Sequence, residues 1–376
     1  MQSPTVCLAA NTLYDLEFGG HFWVYLNWAL GLRALGCRVI WLEGIAPSVP
    51  LHEAQTKVAA LQSLLQRYGL AQSVALCSWN SKPLTAAPTE GCLDIEAAAE
   101  ADLLLNLAYS IPPEMVKRFK RSALVDIDPG RLQIWMSEGQ IGVAPHDLYF
   151  TIGETVGQPD AKFPDLGLKW EYTPPCVSLD RWAPSRARED APFTTLTNWY
   201  DGWMEYDDQS YADDKRTGFL PFLCLPRLTG QTLELVVGLG DDEDERLMLR
   251  KNGWHLREPQ EVAGTPWDYQ RYIQDSLGEF SCVRPSCVRL QNAWISDRTL
   301  CYLASGKPAV VQHTGPSRFL PEGAGLFRFR DLPQAVRYLN RVVEGYEHQC
   351  RLARMLTEEY FDARKVAAAV LDRALA

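Results

Sequence analysis

The sequence predicts an α/β protein made of two doubly wound, Rossmann-like domains. Three observations carry that prediction. Residues 6–42 read strand, glycine turn, helix, strand, a βαβ unit that implies a parallel sheet. Apolar strands and amphipathic segments keep alternating through the rest of the chain. At 376 residues the chain is too long for one simple core, and residues 174–192, rich in Pro, Arg and Asp, read as a linker.

The first series opens with a buried strand at residues 6–10 (VCLAA). A loop follows and ends in Phe18-Gly19-Gly20-His21. Residues 22–35 then place Phe22, Tyr25, Leu26, Ala29, Leu30 and Ala34 at helical spacing. Gly36 ends that helix, and residues 38–42 (RVIWL) form the next strand. Residues 58–68 predict a helix, 101–106 a strand, and 113–119 a short helix opened by proline. Residues 123–128 form a strand halted by Pro129-Gly130, and 148–152 another.

The second series has strands at residues 193–197, 233–237 and 279–283, with helices opening near Asp241 and over 269–277. Residues 292–315 pass from a helix-like segment into the apolar strand 309–311 through Ser305-Gly306-Lys307-Pro308. Residues 354–376 read as one helix with Ala and Leu on a common face. The domain expectation is 1–183, then 184–355, with 356–376 as a helix that packs back on the first domain.

Apolar content is 47% and charged content 22%, near globular averages, so long disorder is not expected. A formal charge of −10 disfavours general attraction to nucleic acid or anionic membrane, while leaving room for one local basic pocket. The ten cysteines are scattered without a CxxC, and no His pair has ligand spacing, so no metal site is expected. The start lacks signal-peptide character, and no stretch reaches the ~18 apolar residues of a membrane span. A cytoplasmic protein with buried thiols is the expectation.

In open α/β sheets ligands bind at the carboxyl ends of strands, where helix N-termini offer free N–H groups. Gly19-Gly20-His21 sits at such an end. The glycines would let backbone approach an anion, and His21 would act as base or donor; a tight turn with a capping histidine fits the same residues. Asp126 and Asp128 share a face at a strand end, so one would raise the other's pKa and suit a general base; an Asp-Pro turn explains Asp128 alone. Ser296 reads as an N-cap, with Asp297 beside it and Arg298 in reach of a phosphate. His313, Thr314 and Gly315 follow the apolar strand, and Lys215-Arg216 follow an acidic loop over residues 206–214. The acidic run at 241–245 reads as a helix start complementing the dipole, not a metal site. Trp199 and Trp203 are the two tryptophans placed to meet a ligand.

Together these residues resemble a GT-B glycosyltransferase, similar to families 1 and 4 of that superfamily. GGHFWVYLNWALGLRALGCRVIWLEG resembles its first βαβ unit, LVDIDPG with HDLYFTIGE its later acceptor-domain strands, and SDRTLCYLASGKPAVVQHTG its donor-domain segment. The resemblance implies two Rossmann-like domains facing across a cleft, an acceptor side in 1–183 and a nucleotide-sugar side in 184–355. It implies a nucleotide-sugar co-substrate, UDP-sugar foremost, no other cofactor, no metal, and a small-molecule or glycan acceptor. By position, Gly19 and Gly20 would approach the donor phosphates and Lys215 or Arg216 hold the diphosphate. Thr314 and Gly315 would lie beside the phosphates or sugar. Retaining members carry two glutamates eight positions apart; here those positions are Ala293 and Cys301, with Asp297 as the substitute carboxylate. That departure favours an inverting mechanism with Asp128 or His21 as base. A GT-B epimerase or coupling enzyme, and a degenerate scaffold protein, are the alternative readings.

Overall fold

The computed structural model describes residues 3–17, 19–79, 84, 90–200 and 202–376; Phe18, in the first loop, lies outside them. The chain divides into two compact units. The first comprises Met1–Ile152, Pro164–Ser178 and Ala363–Ala376, the second Gly153–Phe163 and Leu179–Asp362.

Among the described residues the first unit holds seven strands: β1 (Thr5–Ala9), β2 (Arg38–Ile45), β3 (Val74–Ser78), β4 (Leu103–Asn106), β5 (Ser122–Asp126), β6 (Leu148–Thr151) and β7 (Trp170–Tyr172). They lie in the order β3-β2-β1-β4-β5-β6-β7, every pair parallel. Strands covered on both faces must be apolar on both, which is why VCLA and LLL read as continuous runs. The first helix runs Gly19–Ala34 and is buried around most of its circumference. Gly19 and Gly20 thus form its first turn instead of a loop before it. At Gly31 the helix meets Ala363: a Cβ would lie 2.5 Å from Ala363 O. The expected single C-terminal helix is two, Tyr346–Tyr360 and Ala363–Ala374. The break at Phe361-Asp362 falls where the chain passes from the second unit to the first, and the Ala363 N–H turns to Val177 O, 3.0 Å away.

The second unit contains β8 (Phe193–Leu196), β9 (Trp203–Tyr206), β10 (Gln209–Ala212), β11 (Leu233–Val236), β12 (His255–Arg257), β13 (Gly278–Ser281), β14 (Ala309–Gln312) and β15 (Leu326–Phe329). Six form a parallel sheet in the order β12-β11-β8-β13-β14-β15. Phe193, Phe280, Phe327 and Phe329 pack its core, with Phe280 and Phe329 stacked at 5.3 Å. The expected acidic loop at 206–214 instead contains the antiparallel hairpin β9–β10. Its turn residues Asp207 and Asp208 both sit at φ 56°, the backbone of a type I′ turn.

Each sheet reverses its strand order beside its first strand, between β1 and β4 and between β8 and β13. Such a reversal leaves a crevice at the carboxyl edge, which fixes where a ligand enters. Among the described residues no helix is long and apolar enough to cross a membrane.

Candidate functional site

In the second unit, the carboxyl ends of β13 and β14 open into a narrow pocket lined by Lys215, Ser281, Ser296, Arg298, Val311 and Thr314, among others. Four of these, Lys215, Ser296, Arg298 and Thr314, are residues picked from sequence. They come from three separate segments, and the parallel sheet gathers them.

Lys215 opens the short helix Lys215–Phe219, capped by Asp214, whose side chain accepts the Thr217 N–H at 2.6 Å. The ammonium donates to Cys282 O at 2.8 Å. Burial, then the charges of Arg298 and Arg284, push its pKa down to about 7. A buried ammonium beside two guanidinium groups is short of negative charge.

Arg298 behaves differently from its sequence expectation. Nε donates to Glu279 Oε1 at 2.8 Å, Nη1 to Leu196 O at 2.8 Å and Nη2 to Ser281 Oγ at 2.6 Å. It ties β8 to β13 at the strand-order reversal, and each of its nitrogens is engaged with protein. Arg216 is likewise paired: Nε meets Glu245 Oε1 at 2.8 Å, an oxygen that also accepts from the Trp199 indole. Lys215 is therefore the cation of this group that the pocket presents. Trp199 is buried in the core, while Trp203 on β9 is 69% exposed.

Ser296 takes the N-cap position of the helix Asp297–Ala304, but its side chain makes no capping bond. Asp297 stands in the first turn of that helix. The preceding loop carries two non-glycine residues in left-handed conformation, Gln291 at φ 52° and Ala293 at φ 55°. Such backbone is costly and persists where the surroundings over-determine it. Here Ala293 N donates to Thr314 O at 3.0 Å and Thr314 Oγ1 to Trp294 O at 2.5 Å. Gly315, at φ 141°, approaches so closely that a Cβ would lie 2.6 Å from Gln291 O. The His313-Thr314-Gly315 turn and the strained loop are thus one stitched body. Ala293, in that loop, and Cys301, on the following helix, are both buried.

The first unit places a polar row at the carboxyl ends of β1, β4 and β5. His21, in the first turn of Gly19–Ala34, has Nε2 2.6 Å from Asn11 O and its ring edge-on to Tyr25. Tyr25 lies within electrostatic reach of Tyr109, whose hydroxyl sits 3.4 Å from Asp128 Oδ2 and accepts the Ile127 N–H at 2.7 Å. Tyr109, three residues past β4, also holds left-handed backbone, at φ 50°.

Asp126 is fully buried. Its Oδ2 accepts from Gln133 Nε2 and Thr151 Oγ1, each at 2.8 Å, and its Oδ1 from the Asp128 N–H at 2.9 Å. Burial foremost, with a smaller contribution from Asp128, raises its pKa to about 7. It was picked with the catalytic carboxylates, yet it is sealed from a substrate and holds the Asp128 backbone. Asp128 is half-buried and is the carboxylate of the two that solvent reaches.

Sequence reasoning passed over Tyr109 and Glu43, and read Glu245 as part of a helix start without its pairing to Arg216 and Trp199. Glu43 on β2 accepts the backbone N–H groups of Thr12 and Leu13 and the Trp41 indole, fixing the loop before His21. One signal for it was available: a carboxylate inside an otherwise apolar strand has to be paid for by partners.

Two doubly wound sheets with these edges define a GT-B fold. The chain is similar to a glycosyltransferase from Rickettsia africae, at 9% identity and TM-score 0.53, with 100% of this chain and 98% of that one covered. It is similar to HepE of Anabaena, solved with UDP and glucose, at 11% identity and TM-score 0.58 over 98% and 99% of the two chains. An alpha-glucosyltransferase solved with UDP and a 13-mer DNA matches at 9% identity and TM-score 0.62, over 100% of both. At such identities the likeness is one of fold. No protein-family model matches the chain, and no curated protein is detectably similar to it.

Proposed function

We propose that this chain is a glycosyltransferase that moves a sugar from a nucleoside-diphosphate sugar, with UDP the favoured nucleotide, to a hydroxyl or amine of a small-molecule or glycan acceptor. The observation that carries the reading is Lys215, a buried ammonium short of counter-charge, beside the opening of helix Asp297–Ala304 at the β8–β13 reversal. A diphosphate meets both needs, and neighbours of the same fold were solved with UDP and UDP-glucose.

In this reading the acceptor oxygen attacks the anomeric carbon and the bond to the diphosphate breaks, its electron pair leaving with the nucleotide. Lys215 and the helix N–H groups offset the charge that develops there. Asp128, or His21, takes the acceptor proton. Ala293 and Cys301, where retaining relatives carry glutamate, support inversion. The protein groups named supply charge stabilisation without a metal. Ten free cysteines suit a reducing cytoplasm.

Calorimetric titration with UDP and UDP-glucose tests the donor half. Binding is expected to take up a proton above pH 7 and to weaken as pH rises through about 7, because the diphosphate holds Lys215 in its charged form. Lys215→Met is expected to cost about tenfold or more in affinity. Asp128→Asn is expected to bind donor as the wild type does and to lose roughly 10²–10⁴ in turnover. No response to any nucleotide at millimolar concentration overturns the proposal. Free nucleotide with a rearranged sugar and no acceptor requirement replaces transfer by epimerisation.

A further inference from the structure

We infer that the carboxyl ends of β14 and β15 form a second anion subsite, beside the Lys215 pocket, that takes the carboxylate of an acidic sugar such as a uronic acid. The inference rests on the reading of the pocket as a donor site and specifies which donors it favours.

Placement comes first. Val311 of β14 lines the Lys215 pocket and pairs in register with Arg328 of β15. Paired residues of neighbouring strands project to the same face, so Arg328 stands on the pocket's side, while Arg330, just past the end of β15, reaches His313. Phe327 and Phe329, on either side of Arg328, face the aromatic core. Thr314 lines the pocket, and His313 directly precedes it.

The group has more hydrogen-bond donors than acceptors. Arg328 is 6% exposed; Nη1 donates to Gly315 O at 3.1 Å, Nη2 lies 3.6 Å from Glu322, and its buried Nε has no partner. His313 has an N–H donor against each ring nitrogen, Gly315 N at 3.1 Å from Nδ1 and Arg330 Nη2 at 2.8 Å from Nε2. A neutral imidazole has one acceptor nitrogen, so one of these contacts sets N–H against N–H. Burial first, then Arg328 and Arg330, lower the His313 pKa to about 4, and the ring carries no charge of its own at neutral pH.

With Glu154 also in electrostatic reach of Arg328, Glu322 is, among the described residues, the carboxylate in contact with the group, and its grip is loose. It lies 3.3 Å from Arg330, 3.6 Å from Arg328 and 3.8 Å from His313, is half-exposed, and sits in a turn with Gly323 and Gly325 at positive φ. A carboxylate held at such distances by two guanidinium groups marks the chemistry the cradle accepts. A ligand carboxylate, planar and able to take two parallel N–H bonds from one guanidinium, fits better and displaces it.

The test is calorimetric titration of the full chain with UDP, UDP-glucose and UDP-glucuronate. Wild type is expected to bind UDP-glucuronate about tenfold tighter than UDP-glucose. Arg328→Met is expected to erase that preference while leaving UDP affinity within about twofold, and Glu322→Gln to enlarge it. Arg330→Met, at an exposed position, is expected to act in the same direction and covers the case in which Arg328→Met fails to fold. UDP and UDP-glucose binding with no gain for the uronate overturns the inference and leaves the transferase reading standing. If UDP itself does not bind, the transferase reading has failed, and the subsite is read alone with free glucuronate against glucose and inorganic phosphate. Absence of a glucuronate response sensitive to Arg328→Met, or a response to phosphate in its place, then overturns it.

Discussion

Asp126 shows how one residue's environment decides its role. Its period-two relation to Asp128 was legible because two acids at a strand end are conspicuous. The burial that separates the pair was not, since Gln133, Thr151 and Tyr109 reach it from other elements. The consequence is measurable. Its folded pKa, about 7, stands above the ordinary ~3.9 of an unfolded aspartate. Stability from the protonated form is complete below pH 4 and is lost as pH rises through about 7. The melting temperature of wild type relative to Asp126→Asn is therefore expected to fall between pH 4 and pH 8. A difference independent of pH would show that Asp126 is ionised in the folded protein throughout. Arg298 and Arg216 teach the same lesson from the other side. Their positions were readable in sequence, but Glu279 and Glu245, which occupy them, lie 19 and 29 residues away.

At the level of elements, strands buried on both faces announced themselves: β1, β4 and β5 fall within two residues of their expected ends, and β2 runs three residues further. Several strands escaped, among them β3, β7, β12, β15 and the β9–β10 hairpin. β12 is three residues, two of them exposed, and the β9–β10 turn uses Asp-Asp where Asn-Gly would have signalled a hairpin. The turn after β14 was expected to bind a ligand. Its stitching to residues 291–294 could not be foreseen, because two left-handed non-glycine residues have no sequence signature. Gly315→Ala probes that stitching. Its Cβ would meet backbone at Gln291 and Ala293, and φ 141° disfavours a side chain as well. A loss of about 1–3 kcal/mol in chemical denaturation is expected. An unchanged midpoint would mean that the two loops are not held together as described.

On the scale of the whole molecule, both sheets repeat one order, two strands on one side of the first and the rest on its other side. Alternation of strand and helix predicted a parallel sheet in each half, but not which strands adjoin. Nor did it show that residues 153–163 belong with the second unit. Both follow from packing between segments distant in sequence. Gly31 is where the last helix bears on the first. Gly31→Val would drive a side chain into Ala363 backbone. The expected outcome is a loss of about 1–3 kcal/mol, with faster proteolytic release of residues 363–376. Wild-type protease resistance in this variant would show that the two helices do not bear on each other there. The same contact sets a timetable for synthesis. Ribosomes ordinarily release domains in order, the N-terminal one maturing first. Here the earliest unit to emerge lacks the helix that covers Gly31 until residue 374 has been made, so the second unit has all its segments translated before the first does.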